Sequence, residues 1–552
     1  MLSRLQSSAP RSTAWWADTL PRTPARTAAP VVDPCSVDRD LPEVVVAAGR
    51  LAECTFLTQD EVEVVVLPVA PGPEEGDGLE PRHGMIDAAL RYGVDFSELA
   101  ERASFDGAAG ETLVVDLPRA HRSADALPWA GLPERVVLLG LGRSRVEDFR
   151  RAGAAIARET RGVGRVLTTA SGTDAFEDQR ALVEGYLLGA YRAPTAATGA
   201  PRTDPAAQLV LLGDHAQRAI DEAARAARAA WLVRDLTTVP SNVKNPGWVA
   251  DVAERLAHAA GLDVTRLDGP ALAAGGFGGL TAVGQGSASE PALVAVTYTP
   301  EDAPADARRV VLVGKGITYD TGGIDIKPRT SMVTMKNDMS GAAVVLATVL
   351  AAAEARLPLH VTAVLPLAEN HFGARSYRRA DVLTMVDGTR VEVGNTDAEG
   401  LLVLADGIAW ARSTFSPDAL IDVATLTGAA EVALGPRTAA LLATDDALAR
   451  TIEQSARTTG EAVWRLPLVD EYDERLGSTV TELRNVPADE RGGGAITAAL
   501  FLRRFVGDVP WAHVDIAGPA HADKASHEVP AGATGFGARL LLSTLEGLAA
   551  RD

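Results

Sequence analysis

The sequence predicts an α/β fold, with an N-terminal α/β domain followed by a larger C-terminal α/β domain that has a mostly parallel central sheet. Short runs rich in Val, Leu and Ile alternate with helical segments along most of the chain. In the C-terminal half these runs are continuously apolar, as expected for strands that are covered on both faces. The chain has 552 residues, enough for two or three domains with sizeable cores.

Composition narrows the class of protein. Hydrophobic residues make up 47% of the chain and charged residues 23%, which is ordinary for a soluble globular protein. The net charge of -20 argues against a nucleic-acid partner, and no apolar run is long enough to span a membrane. The two cysteines, Cys35 and Cys54, match neither a zinc spacing nor a disulfide framework. We therefore predict a cytoplasmic protein.

Residues 1–40 differ from the rest of the chain. They are rich in Ser, Thr, Pro, Ala and Arg, and they lack the apolar segment of a secretory signal. An Arg-rich, acid-poor leader is also typical of an organelle transit peptide. We predict a disordered N-terminal tail, because this composition offers little apolar surface to bury.

The N-terminal domain is predicted over residues 41–200, and residues 201–235 are predicted to form a linker and a bridging helix. Helices are expected at 145–158 and 179–191, and strands at 43–48, 63–68, 112–116 and 135–140. The acidic and histidine side chains of this region are scattered. No catalytic site is therefore predicted in this domain.

The C-terminal domain is predicted over residues 236–552. Its helices are expected at 341–355, 401–411 and 494–505, and its strands at 309–313, 360–365, 419–423 and 511–516. In parallel sheets the ligand binds beyond the carboxyl ends of the strands. Lys315, Asp320 and Thr427 directly follow strand ends. The chemistry of the protein is therefore expected at this edge.

Two groups of carboxylates lie near this edge. Asp397 and Glu399 stand two residues apart, just before an apolar helical run, and Asp320 and Asp338 lie upstream in segments rich in Gly, Thr and Asn. Asp and Glu at a helix start often only satisfy free backbone N–H groups and the helix dipole. Four carboxylates in one pocket, however, would repel one another unless cations balanced them.

Two divalent ions would supply that balance. A ligand set made mainly of oxygen suits Zn, Mn or Mg and does not select among them. Lys315 is flanked by glycines and would have to be neutral to bind a metal, which leaves Lys327 as the cation that could stabilise an oxyanion. The alternative is a set of ordinary loop carboxylates paired with lysines. The spacing alone does not decide between the two interpretations.

Several segments are similar to the signature segments of the leucyl aminopeptidase family, the M17 metallopeptidases. The segments are GKGITYDTGG at 314–323, IKP at 326–328, MKNDM at 335–339, NTDAEG at 395–400, DVATLTG at 422–428, GAITAALF at 494–501 and DIAG at 515–518. They occur in order through roughly residues 236–545. The resemblance implies that 236–552 is a metallopeptidase catalytic domain and that the protein is a two-metal aminopeptidase releasing N-terminal amino acids, with a leucine-like preference.

The resemblance also implies a ligand set. Asp320 and Glu399 would bridge two divalent ions, Mn or Zn with Mg as a further option. Lys315 and Asp338 would hold the tighter ion, and Asp397 would serve the looser one. The substrate would be a peptide or dipeptide, and the family usually assembles as a homohexamer.

The remaining site residues also follow from the resemblance. Lys327 would polarise the scissile carbonyl. Met335, Thr425, Gly428 and Ala517 fall where the family lines its pocket for the first side chain of the substrate.

One position departs from the family pattern. Where the family has an Arg that holds a bicarbonate ion as general base, this chain has Leu401, which removes the reason to expect bicarbonate and predicts weakened activity. Asp325 could supply a carboxylate instead, but we favour a simple ion pair of Asp325 with Lys327 or Arg329. Two alternatives stay open: a specialised metal-dependent amide hydrolase of a biosynthetic pathway, and a catalytically impaired family member with a structural or regulatory role.

Overall fold

The computed structural model describes residues 37, 39–54, 57, 62–73, 78–117, 133–171, 175–194, 204–301, 304, 307–489 and 491–550. Most of the predicted tail, together with Cys35, lies outside the described residues. Among the described residues, one compact unit contains 41–190 and 204–223, and a second contains 37–40, 191–194 and 224–550. The predicted linker 201–235 is thus divided between the two units. In the described part of the chain, no helix is both long and apolar enough to cross a membrane.

The last residues of the predicted tail are anchored rather than free. The Arg39 guanidinium donates to both carboxylate oxygens of Asp235, at 3.0 and 2.6 Å. It also lies over the rings of Tyr191 and Trp231, about 5 Å from each centroid. Arg39, which falls within the predicted tail, is therefore held by side-chain contacts.

The first unit has the predicted α/β character and is built on a mainly parallel sheet. Its helices are α1 (Met85–Tyr92), α2 (Phe96–Arg102), α3 (Val146–Glu159) and α4 (Phe176–Gly189). Its strands are β1 (Glu43–Ala47), β2 (Val64–Pro71), β3 (Leu79–Pro81), β4 (Thr112–Asp116), β5 (Arg135–Gly140), β6 (Arg165–Thr168) and β7 (Gln208–Leu212). The strand order is β1-β7-β6-β2-β5-β4, with β3 beside β2, and only β3 and β4 are antiparallel to their described neighbours.

The helix α5 (Gln217–Thr238) begins in the first unit and ends in the second. The second unit continues with α6 (Pro246–Ala259), β8 (Asp263–Asp268), α7 (Gly269–Ala274), α8 (Gly278–Gly284), β9 (Ala292–Tyr298), β10 (Arg309–Gly314), β11 (Gly316–Asp320), α9 (Arg329–Met332), α10 (Ser340–Glu354), β12 (His360–Asn370), β13 (Val382–Thr384) and β14 (Arg390–Glu392). It ends with α11 (Glu399–Phe415), β15 (Ala419–Ala424), α12 (Gly428–Leu434), β16 (Ala439–Ala443), α13 (Asp446–Thr459), β17 (Val463–Arg465), β18 (Leu483–Arg484), α14 (Gly494–Val506), β19 (Trp511–Asp515), β20 (His521–Ala522), β21 (Gly532–Ala533) and α15 (Ala538–Ala549).

The central sheet of the second unit has the order β17-β16-β19-β15-β10-β12-β9-β8, with β11 beside β12. The four predicted strands are β10, β12, β15 and β19, and they form its parallel centre. Sequence analysis did not identify β8, β9 or β16. The strand β9 is antiparallel to β12 and to β8, and β16 is antiparallel to β19 but parallel to β17. The sheet is therefore mostly parallel, as predicted, with antiparallel strands added towards both edges.

Helices cover both faces of this sheet. On β10, Val310 and Leu312 belong to the apolar cluster that contains α10 and α15, whereas Val311 and Val313 belong to the cluster that contains α11 and α14. Because successive side chains of a strand point to opposite faces, one strand contributes to both cores. This explains the continuously apolar strand sequences. The packing of these helices against the sheet also places the starts of α10 and α11 close to the strand ends.

Candidate functional site

The predicted site residues meet at the carboxyl edge of the central sheet. Lys315 joins β10 to β11, Asp320 is the last residue of β11, and Asp338 lies two residues before α10. Asp397 precedes α11, and Glu399 is the first residue of that helix. Asp320 thus belongs to a strand instead of following one, and Glu399 belongs to the helix that it was expected to precede.

The deep half of the site consists of Lys315 between two carboxylates. Its Nζ lies 2.9 Å from Asp338 Oδ1 and 2.9 Å from Glu399 Oε1, and it donates to the backbone oxygen of Thr425 at 2.9 Å. The Thr425 hydroxyl donates to Asp338 Oδ1 at 2.6 Å. A Cβ on Gly400 would lie 2.6 Å from Lys315 Cε, so only glycine leaves room for the lysine.

The outer half of the site consists of Lys327 between two further carboxylates. Its Nζ lies 2.9 Å from Asp320 Oδ2 and 2.7 Å from Asp397 Oδ1. Asp320 Oδ1 accepts the backbone N–H of Gly322 at 2.8 Å. The side chains of Lys327 and Asp397 are 16% and 32% exposed, so this half reaches solvent.

Sequence analysis missed Asn370 and Tyr377, and Asn370 joins the two halves. Asn370 Nδ2 donates to Asp320 Oδ1 at 2.8 Å, to the backbone oxygen of Thr396 at 3.0 Å and to Glu399 Oε2 at 3.3 Å. The Tyr377 hydroxyl donates to the same Thr396 oxygen at 2.7 Å. The available signal was a polar residue shortly after the predicted strand 360–365, which in the structure extends to Asn370.

The charges of the site do not balance. Burial raises the pKa of Asp338 to about 6, although Lys315 acts in the opposite direction. Burial, then Glu399 and Asp338, raises the pKa of Asp320. Burial disfavours the charged forms of Lys315 and Lys327, yet the surrounding carboxylates raise both pKa values. Four carboxylates against two ammonium groups leave a formal excess of two negative charges.

The residues present fit a divalent metal ion. One carboxylate oxygen from each of Asp320, Asp397 and Glu399 lies within 4.8 Å of the others. Asp338 Oδ2 lies outside that trio, is buried, and has no hydrogen-bond partner among the described residues. Lysine pairing alone leaves this oxygen unsatisfied, which is costly for a buried polar atom. Hard oxygen donors with an uncompensated negative charge suit Mn, Mg or Zn.

The four predicted pocket residues lie around the same edge of the sheet. Met335 begins the short turn before Asp338, and Thr425 follows β15. Gly428 is the exposed first residue of α12. Two backbone N–H groups donate to the Asp515 carboxylate. One is that of Ala517, and the other is that of Leu426, the residue after Thr425. These hydrogen bonds connect the loops after β15 and β19.

Leu401 belongs to the apolar core and also borders the site. It is 4% exposed and packs in the cluster that contains α11 and α14. It lines a cavity of about 200 Å³ together with Lys315, Glu399, Leu426, Val486, Pro487 and Ala498. None of the four predicted pocket residues is among the residues that line this cavity. Leu401 therefore adds an apolar surface next to the deep half of the site.

Asp325 has a partner other than those predicted. Its carboxylate accepts from Arg379 Nε at 2.9 and 3.0 Å and from the Thr396 N–H at 2.8 Å. Burial opposes ionisation of Asp325, but its hydrogen bonds and Arg379 lower its pKa overall. The expected ion pair exists, but the partner prediction of Lys327 or Arg329 is wrong. Asp325 instead fixes the loop that contains Asp397.

Comparisons with known proteins give a consistent result. The family model described as the cytosol aminopeptidase family, catalytic domain, matches residues 231–542, and the N-terminal domain model of the same family matches residues 66–196. A probable cytosol aminopeptidase of Roseiflexus castenholzii is 43% identical over 464 residues, which cover 81% of this chain and 92% of the relative. One of Nocardia farcinica is 44% identical over 427 residues, covering 75% of this chain and 82% of the relative.

Solved structures agree with these relatives. The bottromycin maturation enzyme BotP in complex with Mn is 37% identical, with a TM-score of 0.76, and the match covers 88% of this chain and all of that one. A mutant of tomato leucine aminopeptidase is 28% identical, with a TM-score of 0.78, over 92% of this chain and 97% of that one.

Proposed function

The chain belongs to the cytosol aminopeptidase family and is a metal-dependent aminopeptidase-type hydrolase; from this premise we propose that it uses two divalent ions to release leucine-like N-terminal residues from peptides. The observation that supports two ions is the charge of the site. Four carboxylates share it with two lysines, which leaves an excess of two negative charges. If Lys315 becomes a neutral ligand, the excess grows, and two divalent ions would then compensate it.

We assign the ligands by the two halves of the site. Lys315 and Asp338 hold the tighter ion, Asp320 and Glu399 bridge both ions, and Asp397 holds the looser one. Such ions, when bound, polarise a carbonyl oxygen and lower the pKa of water. The similarity to BotP, whose structure was solved in complex with Mn, supports Mn as one candidate metal, with Zn and Mg as the others.

Lys327 is the residue that we propose to act on the substrate carbonyl. Its ammonium group sits between Asp320 and Asp397, and its side chain is 16% exposed. A cation at this position can donate hydrogen bonds to an oxygen on which negative charge develops. The neighbouring carboxylates raise the pKa of Lys327 and so favour its charged form.

The first side chain of the substrate is proposed to bind near Met335, Thr425, Gly428 and Ala517. Among these residues Gly428 and Ala517 have little or no side chain, and Met335 is a flexible apolar one. Such a surface suits an aliphatic group of the size of leucine.

Leu401 is the basis for proposing weakened catalysis. It is uncharged and cannot hold an anion that would accept a proton near Lys315 and Glu399. General-base catalysis typically contributes ~10²–10⁴-fold. We therefore propose slow but measurable peptide hydrolysis without bicarbonate as a cofactor.

A second candidate function keeps the same site but changes the substrate. The 37% identity to a bottromycin maturation enzyme favours a specialised amide hydrolase of a biosynthetic pathway. A panel of N-terminal residues on otherwise identical peptides distinguishes the two, because a general aminopeptidase accepts several aliphatic residues. We further propose a homohexamer in the cytoplasm, on family resemblance.

The proposed function is tested by metal analysis together with a leucyl chromogenic substrate. Metal-free protein that has been reloaded with Mn should contain close to two ions per chain and release the chromophore. Lys327→Met should keep both ions and lose about 10²–10³-fold in kcat, as expected for removal of one oxyanion donor.

Three results would contradict the assignment. The first is a metal content of one ion or none. The second is an absence of hydrolysis for every aminoacyl substrate in the panel. The third is a Lys327→Met variant with full activity.

A further inference from the structure

Lys244 is a buried lysine without a carboxylate partner. It lies between α5 and α6 and is 0% exposed. Its Nζ donates to the backbone oxygen of Thr237 at 3.2 Å and, through a short contact, to the backbone oxygen of Lys336. In the described part of the chain it forms no ion pair. Burial, followed by the charge of Lys336, lowers the pKa of Lys244 to about 7, while Asp338 acts in the opposite direction.

Burying an unpaired lysine costs free energy of folding. Lysines are almost never fully buried unless they are paired, because a buried charge loses its hydration. Capping of α5 explains one of its two hydrogen bonds, since Thr237 is in the last turn of that helix. A second lysine caps the same helix from outside, because Lys336 Nζ donates to the Thr238 oxygen at 3.0 Å. Helix capping alone therefore does not require Lys244.

The second hydrogen bond of Lys244 reaches the segment that contains Asp338. Its acceptor, the Lys336 oxygen, is in the short turn Met335–Asn337. The Asp338 N–H donates to the Met335 oxygen at 3.2 Å, so this turn leads directly into the proposed ligand. The position of the turn therefore sets where the unpartnered Oδ2 of Asp338 points.

We propose that Lys244 is a positioning residue that fixes the Asp338 turn to the end of α5 and thereby shapes the site of the tighter metal ion. It contacts neither substrate nor metal and acts through the Lys336 backbone. The inference rests on the proposed metal assignment of Asp338. Groups that orient metal ligands typically contribute 10–100-fold to metal affinity.

The test compares Lys244→Met with Lys336→Met. Both side chains link the Asp338 turn to the end of α5, but Lys244 donates to the Lys336 backbone oxygen from a fully buried position and Lys336 donates to the Thr238 oxygen from a half-buried one. We expect Lys244→Met to weaken Mn binding at the tighter site by at least about tenfold, measured by calorimetric titration of metal-free protein. Its kcat at limiting Mn should fall while the substrate KM stays within about twofold. Lys336→Met should change the Mn affinity by less than about threefold, because a half-buried hydrogen bond that exchanges with water contributes less than a fully buried one.

A purely structural role predicts something different. If Lys244 only caps α5, both variants lose a similar amount of thermal stability and neither changes the Mn affinity, which would overturn the proposal. If Lys244→Met does not fold, Lys244→Leu replaces it, because a leucine side chain also has no donor for either carbonyl. A folded Lys244→Leu with wild-type Mn affinity would also overturn the proposal. Wild-type protein that binds no Mn would instead refute the proposed function.

Discussion

The deep and outer halves of the carboxylate cluster carry the same formal charges but differ in how far their side chains are exposed to solvent. Each places one lysine between two carboxylates, Lys315 in the deep half and Lys327 in the outer half. The side chain of Asp338 is 6% exposed, whereas that of Asp397 is 32% exposed. Equal charges are therefore placed in unequal dielectric surroundings. The difference suggests that the deep half fixes an ion and that the outer half meets the substrate.

The largest expected effect comes from removing one carboxylate charge from each half in turn. Asp338→Asn should lose the tighter ion and at least about 100-fold in activity, because a ligand contributes more than the groups that orient it. Asp397→Asn should keep the tighter ion and weaken only the other by about tenfold. Elemental analysis after dialysis, together with Mn titration, measures both.

A matched control uses a carboxylate outside the site. Asp418 is 46% exposed and accepts the Arg309 N–H at 2.8 Å, so Asp418→Asn keeps an acceptor there and should leave metal content unchanged. The comparison of the two halves fails if Asp397→Asn loses the tighter ion and Asp338→Asn keeps it.

A smaller effect is expected at Leu401, next to the deep half. Leu401→Arg should raise turnover at least about tenfold, or ~1.4 kcal/mol of barrier, and make it sensitive to bicarbonate. The cavity of about 200 Å³ beside Leu401 offers space for a longer side chain. Turnover on one leucyl substrate, with and without bicarbonate and at equal metal content, is the measurement.

Leu401→Met serves as the control, because it nearly conserves volume and adds no charge. It should leave turnover within about twofold. A well-folded Leu401→Arg with unchanged or lower turnover would mean that Leu401 is not a catalytic deficit. Loss of folding in that variant would instead reflect the cost of a buried charge.

The smallest expected effect is at Asp325, which supports the outer half. Asp325→Asn keeps an acceptor for Thr396 but loses the ion pair with Arg379, whose side chain is 64% exposed. Ion pairs with exposed partners contribute ~0–1 kcal/mol, so the looser ion should bind only about threefold more weakly. A Mn titration and kcat measure this. A loss of kcat above about 30-fold at full metal content would indicate that Asp325 acts as a base.

The sequence predicted those strands and site residues that are marked by a pattern within a few neighbouring residues. Apolar runs gave the positions of β10, β12, β15 and β19, and short motifs gave the five candidate ligands. Contacts between distant residues were missed. Asp325 and Arg379 are 54 positions apart, and Asn370 contacts Glu399 across 29 positions. Such pairings depend on how loops fold over a sheet edge, and no periodicity or motif encodes this.

The anchoring of Arg39 has a practical consequence for shortening the chain. The Asp235 carboxylate is fully enclosed, and Arg39 forms an ion pair with it while packing against the rings of Tyr191 and Trp231. A polypeptide trimmed to begin at residue 41 would leave that carboxylate without its guanidinium and would uncover the two aromatic rings against which Arg39 packs. The natural place to cut is therefore before Val37, which packs against the larger core.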